Sequence, residues 1–226
     1  MPLYSLTSGK LFSSPESLEN DISRTICISG HHERSIVPYK NNPAYRELTI
    51  QTVKCLLARY LDIAYANGYD TFISGMAVGA DLWSAEHIVR RKRQGVDIKL
   101  IGAVPYMHHA DCFPKRYIDL LWLAEKYSDK LVLISQNPDI EYSSRPLNSN
   151  QSSSLYRDRN YFMVDNSSAI IAFFNDGNYC SGTAQTVNYA MKKNLNICKF
   201  GLDTVYKLIE KYGDINRIKS AIKNIT

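Results

Sequence analysis

The stretch Ile73-Ser74-Gly75-Met76-Ala77-Val78-Gly79-Ala80-Asp81-Leu82 decides the predicted fold, because it carries a short apolar strand into a helix through a turn with two glycines. Glycine lets the backbone approach a ligand closely, and the free N–H groups of a helix N-terminus attract anions. No Gly-Lys-Ser/Thr follows, so this is not a Walker A loop. The stretch fits either a phosphate-binding turn or a tight turn that needs glycine only for its conformation.

On both sides of this stretch, short apolar runs alternate with amphipathic stretches along the chain. A helix is predicted from the apolar spacing between Ile50 and Ala64, and another from about Gly79 to Gln94. This alternation indicates βαβ units, hence an α/β fold with a mostly parallel sheet flanked by helices on both faces. Such sheets bind ligands beyond the carboxyl ends of their strands. The predicted strands are 26–29, 71–74, 98–104, 130–135, 169–174 and 196–200.

The chain divides into an irregular N-terminal arm (1–24), one α/β domain (25–200) and a C-terminal helical extension (201–226). Within the domain, residues 136–154 contain six serines and two prolines and show no apolar period. The sequence therefore predicts a long flexible loop there.

Composition restricts the class of protein. The chain has 226 residues, of which 45% are hydrophobic and 22% are charged, and it shows no apolar stretch long enough for a membrane span. Residues 1–10 lack the pattern of a signal peptide, so none is expected. We expect a cytoplasmic protein with no membrane partner. The 27 Lys+Arg against 22 Asp+Glu are not the excess typical of a dedicated nucleic-acid binder. Five scattered cysteines without a C-x-x-C pair predict neither a disulfide framework nor structural zinc.

A second glycine turn follows the fifth predicted strand, at Asn175–Ala184. Ser181, Gly182 and Thr183 stand where a helix N-terminus would present N–H groups to an anion, although Ser or Thr is also a routine N-cap. Two such turns in one sheet could converge on a ligand with two anionic groups. A nucleotide is the natural candidate.

Several segments resemble one known family, the SLOG superfamily, in its YpsA-like branch. Residues 74–86 read Ser-Gly-Met-Ala-Val-Gly-Ala-Asp-Leu-Trp-Ser-Ala-Glu, residues 159–165 read Arg-Asn-Tyr-Phe-Met-Val-Asp, and residues 181–187 read Ser-Gly-Thr-Ala-Gln-Thr-Val, each similar to a motif of that branch. Ile28-Ser29-Gly30-His31 resembles its Thr-Gly-His. The resemblance covers roughly residues 25–200 and implies a Rossmann-like fold.

The resemblance also implies a nucleotide-type pocket, but no known reaction. Members of the superfamily include LOG-type phosphoribohydrolases, DprA-type single-strand DNA binders, molybdenum-cofactor carriers and sensors of NAD- or ADP-ribose-derived signals. The catalytic Glu of the LOG type is Thr186 here, and His32 follows His31 where the branch has Arg, with Arg34 further on. The implied ligand-binding residues are Gly30, His31, Ser74, Gly75, Met76, Ala77, Gly79, Asp81, Arg159, Asn160, Ser181, Gly182 and Thr183.

Two carboxylates near the first glycine turn are the candidates for acid/base catalysis. Asp81 and Glu86 lie about 140° apart around a helix, so they cannot act as a close pair. Asp81 fits either a ribose-hydroxyl acceptor or a residue that complements the helix dipole.

Arg159 could bind a phosphate or pair with Asp158 or Asp165, and Asn160 could contact a base edge. His31 could contact a phosphate or ribose, or be a hydrogen-bonded structural residue.

Other residues have weaker functional interpretations. Tyr106 and Phe113 could stack on an adenine, whereas Trp83 is expected to pack against the sheet. His108, His109 and Cys112, with Asp111 as a possible oxygen ligand, lack the further converging ligands that zinc needs, so no metal is predicted. The basic run Arg90–Arg93 suits a helix C-terminus.

The leading hypothesis is binding of a small nucleotide-derived ligand, ADP-ribose-like or cyclic, by a sensor, carrier or sequestering protein without turnover and with no required cofactor. One alternative is hydrolysis of an N-glycosidic or phosphoester bond, with Asp81 or Glu86 as base. Another is DprA-like single-stranded DNA binding through Arg90–Arg93 and the C-terminal lysines. By resemblance we also expect a homo-oligomer, a dimer or higher.

Overall fold

The computed structural model of the chain describes residues 2–37, 39, 42–135, 137–141, 147, 149–175 and 181–225. Its centre is a six-stranded sheet in the order β4-β3-β2-β1-β5-β6, and every neighbouring pair is parallel. The Rossmann-like α/β fold is confirmed. The strands are β1 (Thr25–Gly30), β2 (Thr71–Ser74), β3 (Lys99–Val104), β4 (Lys130–Leu133), β5 (Ala169–Phe173) and β6 (Asn196–Phe200).

Helices cover both faces of the sheet. They are α1 (Ala44–Ala66), α2 (Ala80–Arg93), α3 (Lys115–Tyr127), α4 (Pro138–Glu141), α5 (Ser149–Asp165), α6 (Gly182–Lys192), α7 (Leu202–Tyr212) and α8 (Ile215–Ile222). On one face α1 packs between α2 and the pair α7–α8, with α3 beyond α2, and on the other face α5 packs against α6. In the part of the chain that is described, no helix combines the length and apolarity needed to cross a bilayer.

The alternation of side chains along each strand creates two cores. In β1, Ile26 and Ile28 belong to the core beneath α1 and α2, whereas Cys27 belongs to the core beneath α5 and α6. A parallel sheet buried on both faces needs such apolar residues at every position, which is why the strands could be predicted from continuous apolar runs.

The N-terminal arm is irregular apart from two one-turn 3₁₀ helices, and it is anchored to the sheet edge. Ser13 pairs with Val132 of β4 in a parallel bridge. Ser5 is buried and donates a hydrogen bond to Glu125 of α3 at 2.5 Å. The arm therefore covers part of an edge strand that would otherwise expose unpaired backbone groups.

The predicted loop over 136–154 is wrong in part, because α4 lies within it and α5 begins at Ser149. Leu155 and Met163 bury their side chains and anchor α5, and serines are tolerated at an exposed helix start. Residues 136, 142–146 and 148 of that segment lie outside the described residues.

The C-terminal extension is helical as predicted, but it is not peripheral. Val205, Ile209 and Ile218 are buried in the core beneath α1. Gly213, with φ +74°, ends α7, and Asp214 caps α8 by accepting hydrogen bonds from the N–H groups of Asn216 and Arg217.

Candidate functional site

The candidate site lies at the carboxyl edge of the sheet. β1 to β4 follow one another outward, whereas β5 returns to the other side of β1, so the strand order reverses beside β1. Ligands of open α/β sheets bind at such reversals, beyond the strand ends. A cavity of about 550 Å³ opens beyond β1, β2 and β3, between the first turn of α3 and the N-terminal part of α5. Its wall includes His32, Arg34, Tyr106, His109, Phe113 and Tyr156.

Gly79 and Gly30 allow the end of β1 and the start of α2 to pack closely together. Gly79 has φ +101°, and a Cβ there would lie 2.5 Å from the carbonyl oxygen of His31. A Cβ on Gly30 would lie 2.4 Å from the Cβ of Ala80. The Ala80 N–H donates to the His31 carbonyl at 3.4 Å, so the chain after β1 occupies the position in front of α2 where the sequence suggested a phosphate.

The turn between β2 and α2 is held by its own side chains. The Met76 N–H donates to Ser74 Oγ at 3.3 Å, and Ser74 Oγ donates to the Asp81 carbonyl at 3.1 Å. Met76 is buried and has φ +54°, a left-handed conformation that is strained for a residue with a side chain. Such strain is concentrated at functional sites. Ala77 is also buried, and its carbonyl accepts from the Leu82 N–H.

A buried ion pair lies behind this turn. Arg159 Nη1 contacts Asp81 Oδ2 at 3.1 Å, and the two side chains are only 6% and 7% exposed. Burial raises the pKa of Asp81, and the positive charge of Arg159 opposes that rise. A Cβ on Gly75 would lie 1.3 Å from Arg159 Nη1, so Gly75 provides the space for the arginine.

Arg159 thus pairs with neither Asp158 nor Asp165, the local partners that the sequence offered. Asp81 is 78 residues away in the chain, and no local pattern indicates the pair. Arg159 Nε is buried and has no hydrogen-bond partner among the residues that the structure describes.

His109 was suggested by the sequence only as a possible metal ligand, but the structure places it in the wall of the cavity. It is 6% exposed, and among the described residues its ring nitrogens make no hydrogen bond of normal geometry, although weaker contacts with the Tyr106 and Met76 backbone raise its pKa slightly. Burial, with a smaller contribution from Arg159, lowers the pKa of His109 to about 4. Burial together with the Arg34 and Arg159 charges lowers the pKa of His32 to about 4 as well. Both imidazoles are therefore neutral at pH 7.

Aromatic rings form one wall of the cavity. Tyr106 makes edge contacts with Tyr156 at 6.0 Å and with His109 at 6.5 Å, and Phe113 contacts the His109 ring at 5.5 Å between centroids. Tyr106 and Phe113 thus lie where the sequence suggested a base could stack. Trp83 is 5% exposed and packs in the core, as predicted.

The loop after β1 is tied to the helices around the cavity through Glu33. Arg116 Nη2 donates to both Glu33 oxygens, at 2.7 and 2.6 Å, and Tyr117 and Arg46 donate to the same carboxylate. Burial alone would raise the pKa of Glu33, but Tyr117 and Arg116 outweigh it and lower that pKa. No local pattern in the sequence indicates this cluster.

The second glycine turn is separate from the described wall of the cavity, which contains none of Ser181, Gly182 and Thr183. Ser181 caps α6 by accepting from the Ala184 N–H at 3.1 Å, which is the routine N-cap that the sequence left open. Among the described residues, a Cβ on Gly182 would have only Asn160 Nδ2 nearby, at 4.0 Å. Thr183 is buried, and residues 176–180 of the turn lie outside the described residues.

His31 has a structural role in this fold. Its Nε2 accepts a hydrogen bond from the Asn175 N–H at 3.1 Å, its ring contacts Phe173, and burial lowers its pKa. It connects the end of β1 to the end of β5.

None of the ligand-binding residues that the resemblance implied belongs to the described wall of the cavity, whereas His108 and Cys112 do. Glu86 pairs with Lys54 of α1 at 3.4 Å, so the structure does not bring it together with Asp81. His108 Nδ1 contacts Asp111 at 3.1 Å, and among the described residues no group of three or more His, Cys, Asp and Glu side chains could hold a metal ion. Each residue of the basic run contacts a protein group: Arg90 with His87, Arg91 with Asp62, Lys92 with Asp129 and Arg93 with the Tyr127 ring.

Fold and cavity together define a Rossmann-like α/β protein with a ligand-sized cavity at the carboxyl edge of its sheet. The chain belongs to the YspA SLOG family, which matches residues 26–205.

No curated protein matches this sequence. Among solved structures, the DNA processing protein A (DprA) of Streptococcus pneumoniae is similar, with 17% identity and a TM-score of 0.48 over 83% of this chain and 57% of that one. This chain therefore aligns with little more than half of that protein.

Proposed function

We propose that this chain binds a small nucleotide-derived ligand, such as an ADP-ribose-like or cyclic nucleotide, in the cavity at the carboxyl edge of the sheet. The observation that carries the proposal is the cavity itself, whose volume of about 550 Å³ is typical of small-molecule sites. It combines aromatic faces with histidine and arginine side chains, groups that can stack on a base and bind a phosphate. The buried ring nitrogens of His109, which lack a hydrogen bond of normal geometry within the described part of the chain, add support, because such groups are rare unless a ligand or water completes them.

The carboxylates favour binding without turnover. Asp81 is engaged by Arg159, and Glu86 pairs with Lys54 elsewhere on α2. A general base must reach the proton it removes. We therefore propose a sensor, carrier or sequestering protein in preference to a hydrolase that uses either residue.

The test is a ligand panel read by melting temperature and by mass spectrometry of the recovered ligand. The panel contains NAD, ADP-ribose, adenine nucleotides, cyclic nucleotides and a short single-stranded DNA. A ligand that binds only the native state raises the melting temperature, by mass action. We expect one small nucleotide to raise it and to be recovered intact.

Other outcomes of the panel contradict the proposal in distinct ways. A cleaved product would establish an enzyme. A stabilisation by DNA alone that vanishes in high salt would indicate a phosphate-backbone contact instead.

A further inference from the structure

The floor of the cavity is formed by the imidazoles of His109 and His32, and both are neutral at pH 7. Arg159 does not line the cavity, and its charge, which acts on both imidazoles, is balanced by Asp81 within a 3.1 Å contact. A phosphate dianion moved onto this floor would lose its hydration without gaining an unbalanced positive charge. The floor therefore favours an uncharged polar group.

The same floor has polar atoms available to a ligand. His109 is 6% exposed, and within the described part of the chain its two ring nitrogens form no hydrogen bond of normal geometry. A neutral imidazole offers one donor and one acceptor. The edge of a nucleobase presents donors and acceptors side by side and matches this set.

The walls suit a planar ring. Tyr106, Phe113 and Tyr156 lie around His109 on the cavity wall. Aromatic side chains of this kind stack on nucleobases whatever the base sequence, because every base has a π face.

The unbalanced positive charge lies at the rim. Arg34 is exposed and lines the cavity, and it has no ion pair within the described part of the chain. Arg46 and Arg116, which also border the cavity, share the single carboxylate of Glu33, so that cluster keeps one further positive charge at the rim. A phosphate held at the rim would keep part of its hydration and gain the free guanidinium of Arg34.

We infer that the cavity binds a nucleoside phosphate with its base directed inward, against the aromatic wall and His109, and its phosphate at the rim beside Arg34. This inference rests on the proposed function. This orientation of the nucleotide is the reverse of the one suggested by the sequence, in which the helix N-termini bind the phosphate.

The experiment measures binding by calorimetry for three kinds of probe: AMP, GMP, CMP and UMP; their four nucleosides; and ribose 5-phosphate. The variants are Arg34→Gln and His109→Leu, with Arg217→Gln as the matched control because it removes an exposed arginine of α8. Melting curves identify any variant that fails to fold. If His109→Leu does not fold, Arg34→Gln still tests the inference, because Arg34 is exposed and its replacement should not disturb the core.

At least one nucleoside should bind with an affinity within about tenfold of its monophosphate, and ribose 5-phosphate should not bind. Arg34→Gln should lower the affinity for that monophosphate about tenfold and change the affinity for its nucleoside by less than about twofold, as expected for one charge-assisted contact. His109→Leu should lower the affinity for both probes. Arg217→Gln should change neither affinity.

Two results would overturn the inference alone: ribose 5-phosphate binding as tightly as the nucleotides, or a nucleotide affinity that Arg34→Gln leaves unchanged. If no nucleotide or nucleoside binds, here or in the wider panel, the proposed function itself fails.

Discussion

Gly75 occupies a position where no side chain fits. An added methyl group would lie 1.3 Å from Arg159 Nη1 and 2.5 Å from Asp81 Oδ2, so both partners of the buried ion pair would have to move. Overpacking of a core usually costs about 1–3 kcal/mol. We expect Gly75→Ala to lower the free energy of unfolding by at least that amount. Urea denaturation measures the effect.

The matched control is Gly182→Ala. Gly182 has no positive φ, its nearest neighbour to a Cβ is 4.0 Å away, and it opens a helix that alanine favours. Equal stability of the two variants would contradict the role assigned to Gly75.

The pair Asp81–Arg159 predicts a second stability effect. Arg159→Met leaves a buried carboxylate without its counter-charge, which typically costs about 3–5 kcal/mol. The double variant Asp81→Leu with Arg159→Met should recover most of that loss, because no unpaired charge then remains. Chemical denaturation of the two single variants and the double variant measures the coupling, and strictly additive losses would show that the pair does not act as a unit.

His109 predicts a pH dependence of stability. Its folded pKa, about 4, lies below the ordinary histidine value near 6.5, so its neutral form stabilises the fold fully above pH 6.5 and less as the pH falls toward 4. Between pH 7 and pH 5 the wild type should lose about 2 kcal/mol more than His109→Leu. Urea titrations at the two pH values measure this difference, and parallel losses would refute it.

At the scale of elements, the N-terminal arm and α3 meet at a buried carboxyl group. Glu125 is 1% exposed, and burial raises its pKa despite the hydrogen bond from Ser5. A raised folded pKa stabilises the fold below the ordinary glutamate value near 4.3, and that stability is lost as the pH rises through the folded pKa.

We therefore expect Glu125→Gln to remove this pH dependence and to be at least as stable as the wild type at pH 7. Glu86→Gln on the exposed face of α2 serves as the control. A Glu125→Gln variant that is less stable than the wild type at pH 7 would contradict the account.

The elements also show what sequence reasoning can reach. The strand positions follow from continuous apolar runs, and helix α1 follows from the apolar period between Ile50 and Ala64. Both signals are local. The start of α5 could not be predicted, because its first residues are rich in serine and show no apolar period. The buried residues that anchor the helix, such as Leu155, come after that segment.

The site was less predictable because its contacts join distant parts of the chain. The sequence indicated Tyr106 and Phe113 as stacking residues and Arg159 as a functional residue. It could not indicate that Arg159 meets Asp81 or that Glu33 meets Arg116, 83 residues away. Those pairs depend on tertiary packing, for which a single sequence carries no local signal.

At the scale of the whole molecule, the two C-terminal helices belong to the core. Leu202, Val205, Ile209, Ile218 and Ile222 are each at most 4% exposed. Ending the chain at Phe200 would uncover the apolar surface of α1 that they bury, at roughly 1.5–3 kcal/mol for each large side chain. We expect residues 1–200 to lack a cooperative thermal transition by circular dichroism, and a sharp transition would show that the extension is dispensable.

The central claim is that the cavity beyond β1, β2 and β3 is the binding site for a small nucleotide. Cys112 is exposed and lines that cavity, so Cys112→Trp should fill it without disturbing the core. The most direct measurement is calorimetric titration of the nucleotide identified by the panel into the wild type and into Cys112→Trp. The account predicts binding to the wild type and a loss of at least about tenfold in the variant, whereas equal affinity in a folded variant would place the ligand elsewhere and contradict it.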